Sequence, residues 1–145
     1  MKNEKYDELL ELIKIFEKNK VTFPDNGQQN FHSLVAENNQ PLSFQLLINR
    51  KGHLREDRLT YQMKSKEYDV MVRLDMTGPP HASKSGELIS TPHVHIFDER
   101  HNYGKWAVAL SEISNHKIII ELHDSLEAFL LYNNVNIDNL EIPIL

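Results

Sequence analysis

The chain has no cysteine. That removes disulfides, thiolate nucleophiles and thiolate zinc sites together. Long apolar runs are also missing. The longest, KIIIEL from Lys117 to Leu122, is strand-sized, whereas a bilayer span needs about 20 residues. The opening MKNEKYDELLEL is charged and lacks the apolar centre of a secretory leader. Basic residues are outnumbered, 16 Lys and Arg against 21 Asp and Glu, for a net charge of −5. A chain of that sign is a poor general coat for nucleic acid, because neutralising phosphates needs clustered Lys and Arg. There is no Gly-x-Ser-x-Gly elbow, and KSGE at Lys84–Glu87 lacks the glycine spacing and Lys-Ser/Thr end of a phosphate loop. The expectation is a cytoplasmic protein without membrane segments or thiol chemistry.

What is present suits one folded domain over residues 1–145: 40% apolar and 26% charged residues are enough to build and solvate a single core. NEKYDELLELIKIFEKNK reads as a helix. Tyr6, Leu9, Leu10, Ile13 and Phe16 recur at spacings of three and four, and Asn3 is placed to cap it. Pro24, Asp25, Asn26 and Gly27 then mark a turn. The middle alternates with a period of two. PLSFQLLINR, RLTYQMKS, DVMVRLDM, HVHIF and KWAVALS read as five strands. On the third, Val70, Val72, Leu74 and Met76 share one face, and Asp69, Met71, Arg73 and Asp75 the other. Short connections favour an antiparallel meander. Asp124 or Ser125 is expected to cap a last helix, SLEAFLLYNNV, with a stripe of Leu126, Phe129, Leu130 and Val135. The predicted fold is α+β: about five mainly antiparallel strands with an N-terminal and a C-terminal helix on one face.

One stretch carries most of the chemistry. In STPHVHIFDERHNYGKW, His93 and His95 are two apart on a strand, so both imidazoles point to the same face. Val94 and Ile96 then fill the core, and Phe97 joins the histidines. A face with two imidazoles and a phenyl ring needs a cover. The polar loop Thr77–Pro92, with Pro79, Pro80 and His81, is the simplest one. Its adjacent prolines preclude a regular ladder where they stand. The loop is expected to bring a ring atom of His81 within about 8 Å of His93 or His95, near enough for a bridging water or ligand atom.

The order Arg-Leu-Asp, Gly-Pro-Pro-His, His-x-His, Tyr-Gly-Lys-Trp, from Arg73 to Leu110, resembles an uncharacterised bacterial family frequent in prophages and other mobile elements. The resemblance implies a setting of phage–host conflict: a toxin, an antitoxin or an inhibitor of defence. A fainter likeness is to histidine-triad nucleotide hydrolases. Their third histidine is replaced here by Phe97.

Four readings of the histidine pair follow. It can be a satisfied structural feature under the loop. It can chelate a metal with ligands drawn from His81, Asp75, Asp98 and His101. That reading lacks any strong ligand frame, so no tightly bound zinc and no cofactor are expected. It can perform metal-independent acid–base cleavage of RNA, whose 2′-hydroxyl supplies the nucleophile. His93 and His95 would then be base and acid and His81 would assist, while Arg73, Lys105, Tyr103 and Arg100 would bind phosphate or base. This ribonuclease-like toxin is the leading expectation, with RNA as substrate and an antitoxin as partner. Alternatively the protein is no enzyme and binds a host defence or regulatory protein, through acidic stretches such as EKYDELLEL and DNLE. The basic turn NRKGHLREDR reads as a solvated hairpin tip or a minor nucleic-acid contact. Trp106 reads as core or sheet-edge packing, and His32, His116 and His123 stand alone in sequence.

Overall fold

The computed structural model describes residues 1–38, 41–52, 58–113 and 122–142. His116, the KIIIEL run up to Glu121 and the centre of the basic turn therefore lie outside the described residues. The element order is α1 (Asn3–Glu11), β1 (Lys14–Phe16), β2 (Gln29–Ala36), β3 (Ser43–Asn49), β4 (Thr60–Ser65), β5 (Asp69–Asp75), β6 (His81–Ala82), β7 (Leu88–Ile89), β8 (His93–Ile96), β9 (Ala107–Ala109) and α2 (Leu122–Tyr132). The fold is α+β, with a seven-stranded sheet in the order β1-β2-β3-β4-β5-β8-β9. Every ladder in that sheet is antiparallel.

The sheet exceeds the five predicted strands because two were hidden. Phe16 was expected to extend the helical stripe. Instead α1 stops at Glu11, Leu12 is extended, and Lys14–Phe16 pairs with Ala36–Leu34 of β2. Strand β2, QNFHSLVA, buries only Leu34 and Ala36, at its C-terminal end, so no clean alternation marks it. The helix starts also differ from expectation. Asn3 is the first helical residue and not a cap, and its side chain accepts from the Arg100 amide at 3.1 Å. Asp124 and Ser125 sit inside the first turn of α2, which begins at Leu122. There the carboxylate meets the positive end of the helix dipole. The Ser125 hydroxyl instead pairs with Tyr61 at 2.8 Å.

The core lies where the helices meet the sheet. Tyr6 and Leu9 of α1 and Leu126, Phe129 and Leu130 of α2 join Leu34, Phe44, Leu46, Ile48, Tyr61, Met63, Val72, Leu74, Val94 and Ile96 in one buried cluster. Phe129 stacks on Tyr61 with ring centroids 5.8 Å apart. Truncating so deep a ring to Ala costs about 3–5 kcal/mol. On β5 the predicted face is buried at Val72 and Leu74 but only half-buried at Val70, where the register with β4 shifts at Met63/Lys64. The other face of β5 is buried too, at Met71 and Asp75. A second cover is therefore present over that end of the sheet. Part of it is the β6–β7 hairpin, a two-stranded sheet of its own. Gly78, Pro79 and Pro80 lie ahead of the hairpin, outside any ladder, as the prolines require.

Candidate metal centre

The histidines of β8 are placed by register. His93 stands opposite Asp75 and His95 opposite Arg73 on β5. Directly opposed residues on adjacent strands share a face, so one face carries Asp75, Arg73, His93 and His95 while Leu74, Val94 and Ile96 fill the core. The hairpin then adds His81. The three imidazoles form a near-equilateral triangle, with centroid separations of 4.9 Å, 5.0 Å and 5.0 Å. His81 Nδ1 is 3.0 Å from His95 Nε2, well inside the expected limit. His93 is fully buried, His95 is 3% exposed and Asp75 6%. His81 is half-buried, at the rim.

Backbone carbonyls fix the tautomers. His93 Nδ1 is 2.8 Å from the Ile89 carbonyl on β7, and His95 Nδ1 is 2.8 Å from the Gly104 carbonyl. A carbonyl oxygen only accepts, so both Nδ1 atoms carry the proton. In the neutral ring each Nε2 is then a bare lone pair. Both point at the same acceptor: Asp75 Oδ2 lies 3.4 Å from His93 Nε2 and 3.4 Å from His95 Nε2. Among the described residues His93 Nε2 has no hydrogen-bond partner at all. Asp75 Oδ1 accepts from Arg73 Nε at 2.9 Å, with a longer contact from Thr60 at 3.4 Å, and Oδ2 accepts from Arg73 Nη2 at 3.2 Å. Burial alone would raise the Asp75 carboxyl. Hydrogen bonds and charge from Arg73, and from His95 when its ring is protonated, outweigh that and hold it well below the usual carboxylate range. Burial and the neighbouring imidazoles push His81 below its ordinary value.

One ligand atom from each of Asp75, His81, His93 and His95 can be chosen so that all lie within 4.8 Å of one another. Zinc bonds of about 2.0–2.1 Å in tetrahedral geometry put neighbouring ligand atoms roughly 3.4 Å apart. The three distances above, 3.4 Å, 3.4 Å and 3.0 Å, are close to that edge. The set is three nitrogens and one oxygen, which suits a first-row divalent ion.

The remaining sequence candidates divide. Arg73 belongs to the site through Asp75. Arg100 does not use its charge there: its guanidinium holds Asp98 at 2.9 Å and Asp7 of α1. Asp98 and His101 pair with each other at 2.6 Å instead of joining the cluster. Tyr103 is exposed and left-handed at φ 55°, directly before Gly104. Lys105 is exposed after it. Trp106 is half-buried, with Lys84 Nζ of the hairpin turn 5.9 Å from its ring centre. His32 contacts Thr22, away from the cluster. Arg50, from the basic turn, donates to the Pro24 carbonyl at 3.0 Å.

Two participants carried no signal in the sequence, because they act through backbone oxygen: Ile89 and Gly104. Gly104 had one indirect mark, its glycine. It takes φ +85°, and a Cβ there would lie 2.5 Å from the Phe97 ring. Phe97 is thereby covered by the turn that presents the carbonyl to His95.

Among the described residues no helix is long and apolar enough to cross a membrane. No curated protein and no solved structure matches the chain. A family model does match, over residues 1–135, well beyond the stretch from Arg73 to Leu110. The chain belongs to that family, the family of unknown function DUF6978.

Proposed function

We propose that this protein binds one divalent first-row metal ion, zinc by preference, through His81, His93, His95 and Asp75. The observation that carries the reading is the buried, unpartnered Nε2 of His93, which faces a carboxylate oxygen and two further imidazoles. A buried acceptor without a donor costs about 1–3 kcal/mol. Protonating the rings would supply donors, but would crowd imidazolium charges at 5.0 Å in a buried place. A cation at the centre satisfies every lone pair at once. The supports for the ligands are those that metal sites use: the far nitrogens of two histidines donate to carbonyls, and the far oxygen of the carboxylate accepts from an arginine.

With four protein ligands the ion has a fastening role first. His81 is on the hairpin and the other three ligands are on the sheet, so the metal ties β6–β7 down. This reading departs from the metal-free expectation raised by the sequence. The acid–base ribonuclease reading is weaker on one physical ground: His93 is wholly buried and His95 nearly so, and a general base must come within hydrogen-bond reach of the substrate proton. The toxin and defence-modulator settings stay what the resemblance implies, and the metal centre requires neither.

The test is metal analysis of protein purified without chelator, followed by calorimetric titration of zinc into chelator-stripped protein. About one ion per chain is expected. Folded protein that takes up no zinc, cobalt or nickel would remove the reading.

A further inference from the structure

We infer that the metal centre takes an oxyanion of the phosphate class as an additional ligand, held between the ion and the guanidinium of Arg73; this rests on the metal reading above. The argument begins with charge. A divalent ion, three neutral imidazoles, one carboxylate and one guanidinium leave a net charge of about +2 at the site. Among the described residues the structure gives Arg73 one acidic partner, Asp75, which the ion would share. Such a charge, partly withdrawn from water, recruits an anion.

Geometry says where the anion enters. Three of the ligands are closed off by burial, while His81 is half-buried and the Arg73 side chain is 31% exposed. The approach therefore runs past His81 and Arg73. Arg73 commits Nε and Nη2 to Asp75, at 2.9 Å and 3.2 Å. A guanidinium has five N–H donors in a fixed fork, so donors are left over on the same planar group. They are anchored by the bond to Asp75 and need no ordering when a ligand arrives. An oxyanion can turn one oxygen to the ion and another to this fork, the pairing for which arginine suits phosphate and carboxylate. A phosphate keeps further oxygens for the exposed side. Zinc expands to five-coordinate when such a ligand enters. No bond is made or broken in this step, which is binding alone.

The experiment uses the full chain loaded with cobalt(II), whose visible spectrum reports coordination number. Inorganic phosphate, acetate and chloride are titrated separately. The expected result is a saturable fall in band intensity with phosphate, at lower concentration than with acetate and not with chloride. Arg73→Met should bind cobalt more weakly, since Asp75 loses its orienting partner, and, once loaded with excess cobalt, should show a phosphate response weakened at least about tenfold, one charge-assisted contact; Arg73→Lys should recover part of both. An unchanged spectrum at saturating phosphate overturns the inference while leaving the metal centre standing. A response to acetate stronger than to phosphate overturns the class of ligand. Absence of any protein-bound cobalt spectrum overturns the metal reading and this one with it. Should Arg73→Met lose cobalt, the Arg73→Lys protein decides: cobalt kept with an undiminished phosphate response would show that Arg73 only positions Asp75, and overturn the inference.

Discussion

Two of the places where the molecule buries charge are built in opposite ways. At one, Lys14 of β1 is fully buried. Its ammonium gives hydrogen bonds to the carbonyls of Leu9, Leu12 and Asn133 at 2.8 Å, 2.9 Å and 2.7 Å, with Leu10 at 3.4 Å. Three of these carbonyls end α1, where the helix dipole is negative. Phe44 lies under the cation, 4.9 Å to the ring centre. Burial pushes the Lys14 pKa down to about 7. The ammonium's donors all find acceptors there within the protein itself. At the other place, His81, His93, His95 and Asp75 bring acceptors together with no donor for His93 Nε2. The comparison teaches that burial alone does not mark a functional site. An unpartnered acceptor that faces further ligand atoms does. The Lys14 knot is complete without a ligand, and the histidine cluster is complete only with a cation.

The sharpest way to break the comparison is to remove one member of each. His81→Ala should abolish stoichiometric metal binding while leaving the fold intact, because His81 is half-buried on the hairpin and outside the main sheet. Metal analysis with circular dichroism checks both halves. His93→Ala should lose the metal as well, with a larger fall in stability from the cavity left under the hairpin.

Lys14→Met should do the reverse. It leaves the carbonyls at the end of α1 without their donor. A loss of about 3 kcal/mol in denaturant unfolding is expected, with metal content unchanged. Metal loss in this variant, or a stability close to the parent's, would undo the claim that the two places are independent and opposite.

Much of this contrast was legible beforehand, and the illegible part has a physical cause. The period of two at His93 and His95, with Val94 and Ile96 turned to the core, follows from side-chain alternation alone and survives in the structure. So does the approach of His81, since a face holding two imidazoles needed a cover. Asp75 entered the sequence reading only as one of four optional ligands. Its place opposite His93 depends on the register between β5 and β8, two segments separated in sequence by the hairpin. Lys14 was unreadable for a related reason. The helical spacing of Ile13 and Phe16 conceals a strand whose formation is decided by β2 and by the Asn134 carbonyl, which accepts from the Lys14 amide at 3.0 Å. Arg100 shows the converse. A cation close in sequence to the histidines is spent on Asp7 and Asp98.

Gly104 offers a subtler test, since it shapes the centre without supplying a side chain. Alanine there is strained at φ +85° and meets the Phe97 ring. The turn must shift, and the carbonyl 2.8 Å from His95 Nδ1 shifts with it. Loss of such an orienting contact typically weakens a metal site about 10–100-fold. Gly104→Ala is therefore expected to bind zinc at the same stoichiometry and at least about tenfold more weakly. Unchanged affinity would mean that the carbonyl does not set the imidazole's tautomer.

The smallest effect expected concerns the hairpin. Among the described residues, the hydrogen bonds that tie β6–β7 to the sheet include the Ile89 carbonyl with His93 and the His81–His95 contact. The turn between its strands carries Lys84, which is exposed and followed by Ser85 and Gly86. Trypsin cleaves after lysine in segments that can open locally, and the rate follows the population of the open form. A metal that binds only the closed hairpin lowers that population by its own binding free energy. Stripping the protein with chelator should therefore speed cleavage after Lys84 several-fold, and re-adding zinc should reverse it. Cleavage after Lys18 and Lys20, exposed on the other side of β1 and unlinked to the cluster, serves as the internal standard and should not change. If both regions speed up together, the metal stabilises the whole domain instead of the hairpin. If neither changes, the hairpin is held by the sheet alone and the ion's fastening role is lost, even with the metal bound.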